Sequence, residues 1–143
     1  MTAASDALAR AAEAVAAAAA APLSAKRAML AALLIDAAVD ALFAQSGEDD
    51  VLAFRARLAV GSEALGLVFG LCALREGGPR LVTEAAEVPI ANYPALRTED
   101  FMVSLYNGRT VMRVRIAAGE ARWDVHEVLG RALDDLAVGG PLP

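Results

Sequence analysis

Tyr106, Arg109, Arg113 and Arg115 cluster around the pair Asn107-Gly108 in the last third of the chain. Asn-Gly is the preferred pair for a two-residue type I′ hairpin turn, whose central residues need positive φ. With that pair as the loop, Tyr106 stands opposite Arg109, Leu105 opposite Thr110, Ser104 opposite Val111 and Val103 opposite Met112. One face then carries Met102, Ser104, Tyr106, Arg109, Val111, Arg113 and Arg115. The other carries Phe101, Val103, Leu105, Met112, Val114 and Ile116, and a one-residue slip would destroy the separation. Guanidinium forks suit carboxylates and phosphates, and tyrosine adds a stacking surface, so this face is a candidate binding site for an anionic ligand or a partner. The plainer account is that arginines on a solvent-facing strand aid solubility and pair with nearby carboxylates.

The other groups able to do chemistry are sparse. His126 is the sole histidine, a candidate general base, but it falls in the first turn of a helix, where a solvated side chain is expected. The string His126-Glu127-Val128-Leu129-Gly130 begins like a zinc-protease helix and then fails, because Gly130 stands where the second ligand belongs. Asp36 and Asp40 share a helical face at the spacing of two metal-binding or proton-positioning carboxylates; with no third ligand in view, a solvated acidic face is the simpler reading. Cys72, the only cysteine, lies in an apolar helix and should remain a protonated small hydrophobe. Gly61 and Gly66 have phosphate-loop spacing, yet Leu67 replaces the required lysine. No catalytic residue, cofactor site or metal site is assigned, and an enzyme is disfavoured.

Composition narrows the setting. A net charge of −5 works against wholesale nucleic-acid binding, which needs Lys and Arg to displace counterions from phosphates. A lone cysteine provides no disulfide framework, so a cytoplasmic location is expected. Nine of the eleven residues from Ala11 to Ala21 are alanine, but Asp6, Arg10 and Glu13 interrupt any signal-peptide core. The longest strongly apolar run, Ala64 to Leu74, has 11 residues against the roughly 20 of a membrane span, so no membrane association is expected.

The elements that must position these groups follow from periodicity and caps. An alanine-rich helix over 1–21 offers only Leu8 and Val15 as larger aliphatics, a seam that needs close docking on another helix or a second subunit. Pro22 ends it. Ser24 caps a second helix to about Gln45, with Met29, Leu30, Leu33, Leu34, Ala37, Ala41 and Leu42 at helical spacing and Gly47 at its stop. Glu48, Asp49 and Asp50 open a third, with Val51, Leu52, Phe54, Arg55 and Leu58 as its apolar face. Ser62 caps a fourth through Arg75, apolar on nearly every side and so destined for the core.

Beyond Gly77-Gly78-Pro79 the period shortens to 2. Arg80 to Glu87 reads as a strand, and Ala121 to Trp123 as a short strand following a turn at 118–120. Asp124 and Glu127 make an Asp-x-x-Glu capping box, with Trp123 and Val128 as its staple, and 139–143 form a tail. The expected fold is α+β: about four N-terminal helices, a small antiparallel β-meander or hairpin at about 101–117, and a C-terminal helix, all in one domain over 1–143. The expected function is that of a non-catalytic interaction or accessory protein that self-associates, a dimer being favoured, with an additional protein partner open. Two alternatives stand beside it: an anion or nucleic-acid binder using Tyr106, Arg109, Arg113 and Arg115, and a small enzyme using His126 or Asp36/Asp40.

Overall fold

The computed structural model describes residues 2–87 and 110–139. They form helices α1 (Ala3–Ala20), α2 (Ala25–Ser46), α3 (Val51–Gly61) and α4 (Glu63–Ala73), strands β1 (Arg80–Glu87), β2 (Thr110–Ala118) and β3 (Ala121–Asp124), and helix α5 (Val125–Gly139). The mixed α+β class, with its helical N-terminal part and closing helix, is as expected. The Asn107-Gly108 turn and the 101–106 half of the expected hairpin lie outside the described residues. Among the described residues, β2 pairs antiparallel with β1 and β3, giving the order β1-β2-β3.

Short polar side chains set where the helices begin. The side-chain oxygens of Thr2, Ser24, Asp50 and Ser62 accept the backbone N–H groups of Ser5, Arg27, Ala53 and Leu65 at 3.0–3.2 Å. Asp124 does the same for Glu127 at 3.0 Å. Each satisfies a donor the first helical turn leaves unpaired. Gly47 closes α2 in the left-handed region, φ 80°, as a glycine can without strain. The end of α4 is less comfortable: Leu74 holds φ 53°, which costs a side chain with a Cβ.

α1 and α2 form a hairpin whose contact is made of alanine. Ala4, Ala11, Ala14 and Ala18 are the buried residues of α1. Those of α2 are Ala28, Ala31, Ala32, Ile35, Ala38 and Val39. The narrow seam of α1 is therefore met by close docking on α2, with Leu8 and Val15 packed against the core from its edge. On α2 the expected stripe is displaced. Leu30, Leu33 and Ala37 face solvent, because the side that meets α1, α4 and α5 is the one where small side chains let backbones approach. On α3, Phe54 and Leu58 are buried and Leu52 is exposed, so its apolar face is narrower than its sequence implies.

α4 lies at the centre, with Ala64, Leu65, Leu67, Val68 and Leu71 buried against α2, α3 and α5. Val125, Val128, Leu129, Ala132 and Leu136 make the buried stripe of α5. Val114 and Ile116 of β2 join the same core, with Leu81 and Trp123 packed against it. One sheet face thus rests on the helices, as a three-stranded sheet requires.

The two glycines of α4 differ in what surrounds them. A Cβ on Gly66 would meet the Ala59 methyl at 3.7 Å, an ordinary contact, whereas on Gly70 it would come within 2.7 Å of the Pro79 ring. Gly66→Ala should stabilise the protein by about 0.5–1 kcal/mol through helix propensity. Gly70→Ala should destabilise it despite the same gain, so the denaturation midpoints of the two variants should move in opposite directions.

Candidate functional site

The β1-β2-β3 register places Arg113 and Arg115 on one sheet face, as expected, and Tyr106 and Arg109 lie outside the described residues. Glu84 pairs with Arg113 across the ladder, Val82 with Arg115, and Ala117 with both Arg80 and Arg122. Glu84 and Arg122 are residues the sequence reading missed, because that register depends on β1 and β3 flanking β2. The Glu84 carboxylate accepts from Arg122 Nε at 3.0 Å and forms an ion pair with Arg115 at 3.5 Å. Arg122 is held further by the carbonyls of Gly119 and Ala121, at 2.8 and 2.9 Å. Arg113 donates to the Met112 carbonyl at 2.9 Å. Val111 and Ala117 sit on this face yet are fully buried, so it is only partly a solvent surface.

Asp36 and Asp40 are brought together by an arginine. Arg55 reaches from α3 to donate to an Asp36 oxygen at 2.7 Å and an Asp40 oxygen at 2.8 Å. It also donates to the Asp36 carbonyl at 3.3 Å and lies 4.9 Å from the centre of the Phe69 ring. Burial opposes the guanidinium charge, but the hydrogen bonds to Asp36 and then Asp40 outweigh it and hold its pKa above the ordinary value. The two carboxylates thus share one cation of the chain itself, and among the described residues no cluster of three metal-binding side chains occurs.

Cys72 lines the same cleft of about 410 Å3 as Asp36, Arg55 and Phe69. Burial pushes its thiol up from 9.0 to about 11, the Asp36 carboxylate adding to the rise and Arg55 opposing it. A thiol so protonated is a poor nucleophile at neutral pH.

His126 is only partly exposed to solvent. It is half-buried, and its Nε2 lies 3.0 Å from the Pro22 carbonyl, so the Nε2–H tautomer ties the start of α5 to the α1–α2 turn. A second polar cleft, about 390 Å3, opens between the α3–α4 junction and α5. There the Ser62 hydroxyl donates to Asp135 at 2.6 Å while capping α4, and Trp123 Nε1 donates to Glu63 at 3.1 Å. Ser62 therefore has a carboxylate partner but no histidine beside it, His126 being held at the α1–α2 turn.

Several large apolar side chains are exposed. Leu30 is 53%, Leu33 45%, Leu52 76% and Leu74 78% exposed, on α2, α3 and just beyond α4. Leu52 lines the Cys72 cleft and Leu74 a neighbouring one of about 480 Å3, shared with Met29, Leu71, Pro79 and Leu81; Arg75 lines both. α2 itself, at 22 residues, is by length and composition long and apolar enough to cross a membrane, although its buried side meets the other helices. In comparisons with known proteins no family model matches the chain, and neither does any curated protein or solved structure.

Replacing Arg55 by Met should cost about 1–3 kcal/mol, because it strands two carboxylates four residues apart on α2. Arg55→Lys should recover only part of it, since an ammonium cannot span both acids as the guanidinium fork does. Cys72 should react with iodoacetamide much more slowly in the native protein than in urea. The unfolded chain gives up the thiol proton first, so the contribution of Cys72 to stability should be intact below pH 9.0 and decline toward about pH 11. Urea titrations of native protein and of Cys72→Ala over that range check the sign.

Proposed function

We propose that the chain is a non-catalytic interaction protein that associates with itself, in a cytoplasmic setting, with a dimer as the favoured form. The exposed leucines of the helical part, Leu30, Leu33, Leu52 and Leu74, carry this reading. Scattered single leucines need no explanation, but Leu30 and Leu33 lie together on the outward side of α2, and Leu52 and Leu74 line two clefts that share Arg75, so covering them would remove apolar area from water. The groups able to do chemistry support it from the other side. Asp36 and Asp40 are held by Arg55, His126 by a carbonyl, Ser62 by Asp135, and the Cys72 thiol is kept protonated. A free thiol of that kind suits reducing surroundings.

A second reading, anion binding on the sheet, has one observation in its favour. Among the described residues, Arg80, Arg113, Arg115 and Arg122 share a face with only Glu84 and Asp124 as carboxylates. It would gain support from retention of inorganic polyphosphate that weakens with salt and is lost in the Arg113→Ala/Arg115→Ala variant.

Sedimentation velocity over a wide range of protein concentration tests the principal proposal. The sedimentation coefficient should rise with concentration toward the dimer value. A single monomeric species at every concentration would overturn it.

A further inference from the structure

The outward side of α2 has an internal order. Lys26, Leu30, Leu33, Ala37 and Asp40 recur at steps of four and three, the spacing that places residues in one line along a helix, and all five are exposed. The line begins with a cation, ends with an anion and has an apolar middle. Turned through a two-fold axis at Leu33, it fits a copy of itself: Lys26 faces the partner's Asp40, Leu30 faces the partner's Ala37, and Leu33 faces the partner's Leu33. A large side chain thereby meets a small one on either side of the axis, as interlocking helix surfaces require. The two ends meet with opposite charge. We infer that this protein dimerises through α2, packed antiparallel against α2 of a second copy, with Leu33 on the two-fold axis. The inference rests on the proposal of self-association and specifies its surface.

The charges at the two ends are in a state that favours this arrangement. Lys26 stands in the first turn of α2, where the helix dipole disfavours a cation, and among the described residues no carboxylate lies within ion-pair distance of it. An antiparallel partner would bring to it the C-terminal half of a helix and the partner's Asp40. Asp40 is 62% exposed and uses one oxygen for Arg55, leaving the second available. The line from Lys26 to Asp40 spans about 21 Å at 1.5 Å per residue, nearly four turns. A contact of that length alone lies at the small end of specific interfaces, so the dimer should be reversible and dependent on concentration. An isologous contact is also self-limiting: it closes at two subunits and leaves no second copy of the surface exposed.

The test uses the full chain with Cys72→Ala as background, so that an introduced thiol is the only one. Leu33→Cys places two thiols across the axis and should give a disulfide-linked dimer on mild oxidation. Asp134→Cys, exposed on α5, should not. In a second experiment, Lys26→Asp and Asp40→Lys should each weaken the dimer by about tenfold, since each turns two symmetry-related attractions into repulsions. The double reversal should restore it. Thermal unfolding of each variant separates loss of association from loss of fold, which matters for Asp40→Lys because it also removes an Arg55 partner. A wild-type dimer that neither cross-links through Leu33→Cys nor responds to the reversals would place the interface elsewhere and overturn this inference, with self-association intact. A wild-type monomer at every concentration would overturn both.

Discussion

The structure depends on the distance at which α1 and α2 approach one another. Their buried residues are almost all alanine, with Ile35 and Val39 the larger exceptions, and none is more than 8% exposed. An alanine methyl removes little apolar area from water, so such a contact cannot be held by area alone. It is held by how closely two backbones can lie when nothing larger than a methyl separates them, which multiplies weak dispersion contacts along the whole length of the hairpin. The turn at 21–24 keeps the approach in register. The Ala21 N–H reaches the Ala18 carbonyl, the Ser24 N–H reaches the Ala21 carbonyl, and His126 fixes the same turn from the far end of the chain.

That constraint determines where the larger side chains go. A helix that buries its alanines must present something else to solvent, and on α2 this is Leu30 and Leu33. The bulk missing from the α1–α2 contact is supplied on the other side of the core by Phe54, Leu65, Leu71, Ile116, Leu129 and Leu136, all essentially buried. Phe54 stacks edge-on against Phe43 at 5.4 Å, one of the few aromatic contacts in a chain with so few aromatic residues. Polar bridges then tie the outer layers to this centre: Arg55 to α2, Trp123 to Glu63, and Arg122 across the sheet to Glu84.

Much of this organisation is legible in the sequence where the cause is local. Ser24, Asp50, Ser62 and Asp124 announce helix starts because a cap and the N–H it satisfies are three residues apart. Arg80–Glu87 is visible as a strand through its change of period. The exposed side of α2 was not legible. Counting large aliphatics favours Leu30 and Leu33 as core, and only the presence of an equally alanine-rich helix beside α2 makes the methyl-lined side the better one to bury. The Arg55 bridge was equally hidden, since its carboxylates lie 15 and 19 residues away on a different helix. Of the arginine cluster read around Asn107-Gly108, Arg113 and Arg115 do share a face, but the carboxylate that meets Arg115 comes from β1, which no hairpin register of 101–116 contains.

The proposed self-association is supported by how the polar groups of the described residues are satisfied. Active sites keep polar groups available and perturbed toward reactivity: a base near neutrality, a nucleophile made more acidic, or carboxylates without counter-ions. Among the described residues, Asp36 and Asp40 are turned toward Arg55 and Ser62 toward Asp135, and the Cys72 thiol is shifted away from reactivity. The free energy still to be gained lies instead in the hydrocarbon that the alanine contact displaced to the surface. A stability requirement of the fold, close approach of two helices, thus leaves Leu30 and Leu33 exposed on the surface proposed for self-association. On the proposed reading, the residues that carry recognition are the ones that helix packing leaves unused, not an addition to the fold.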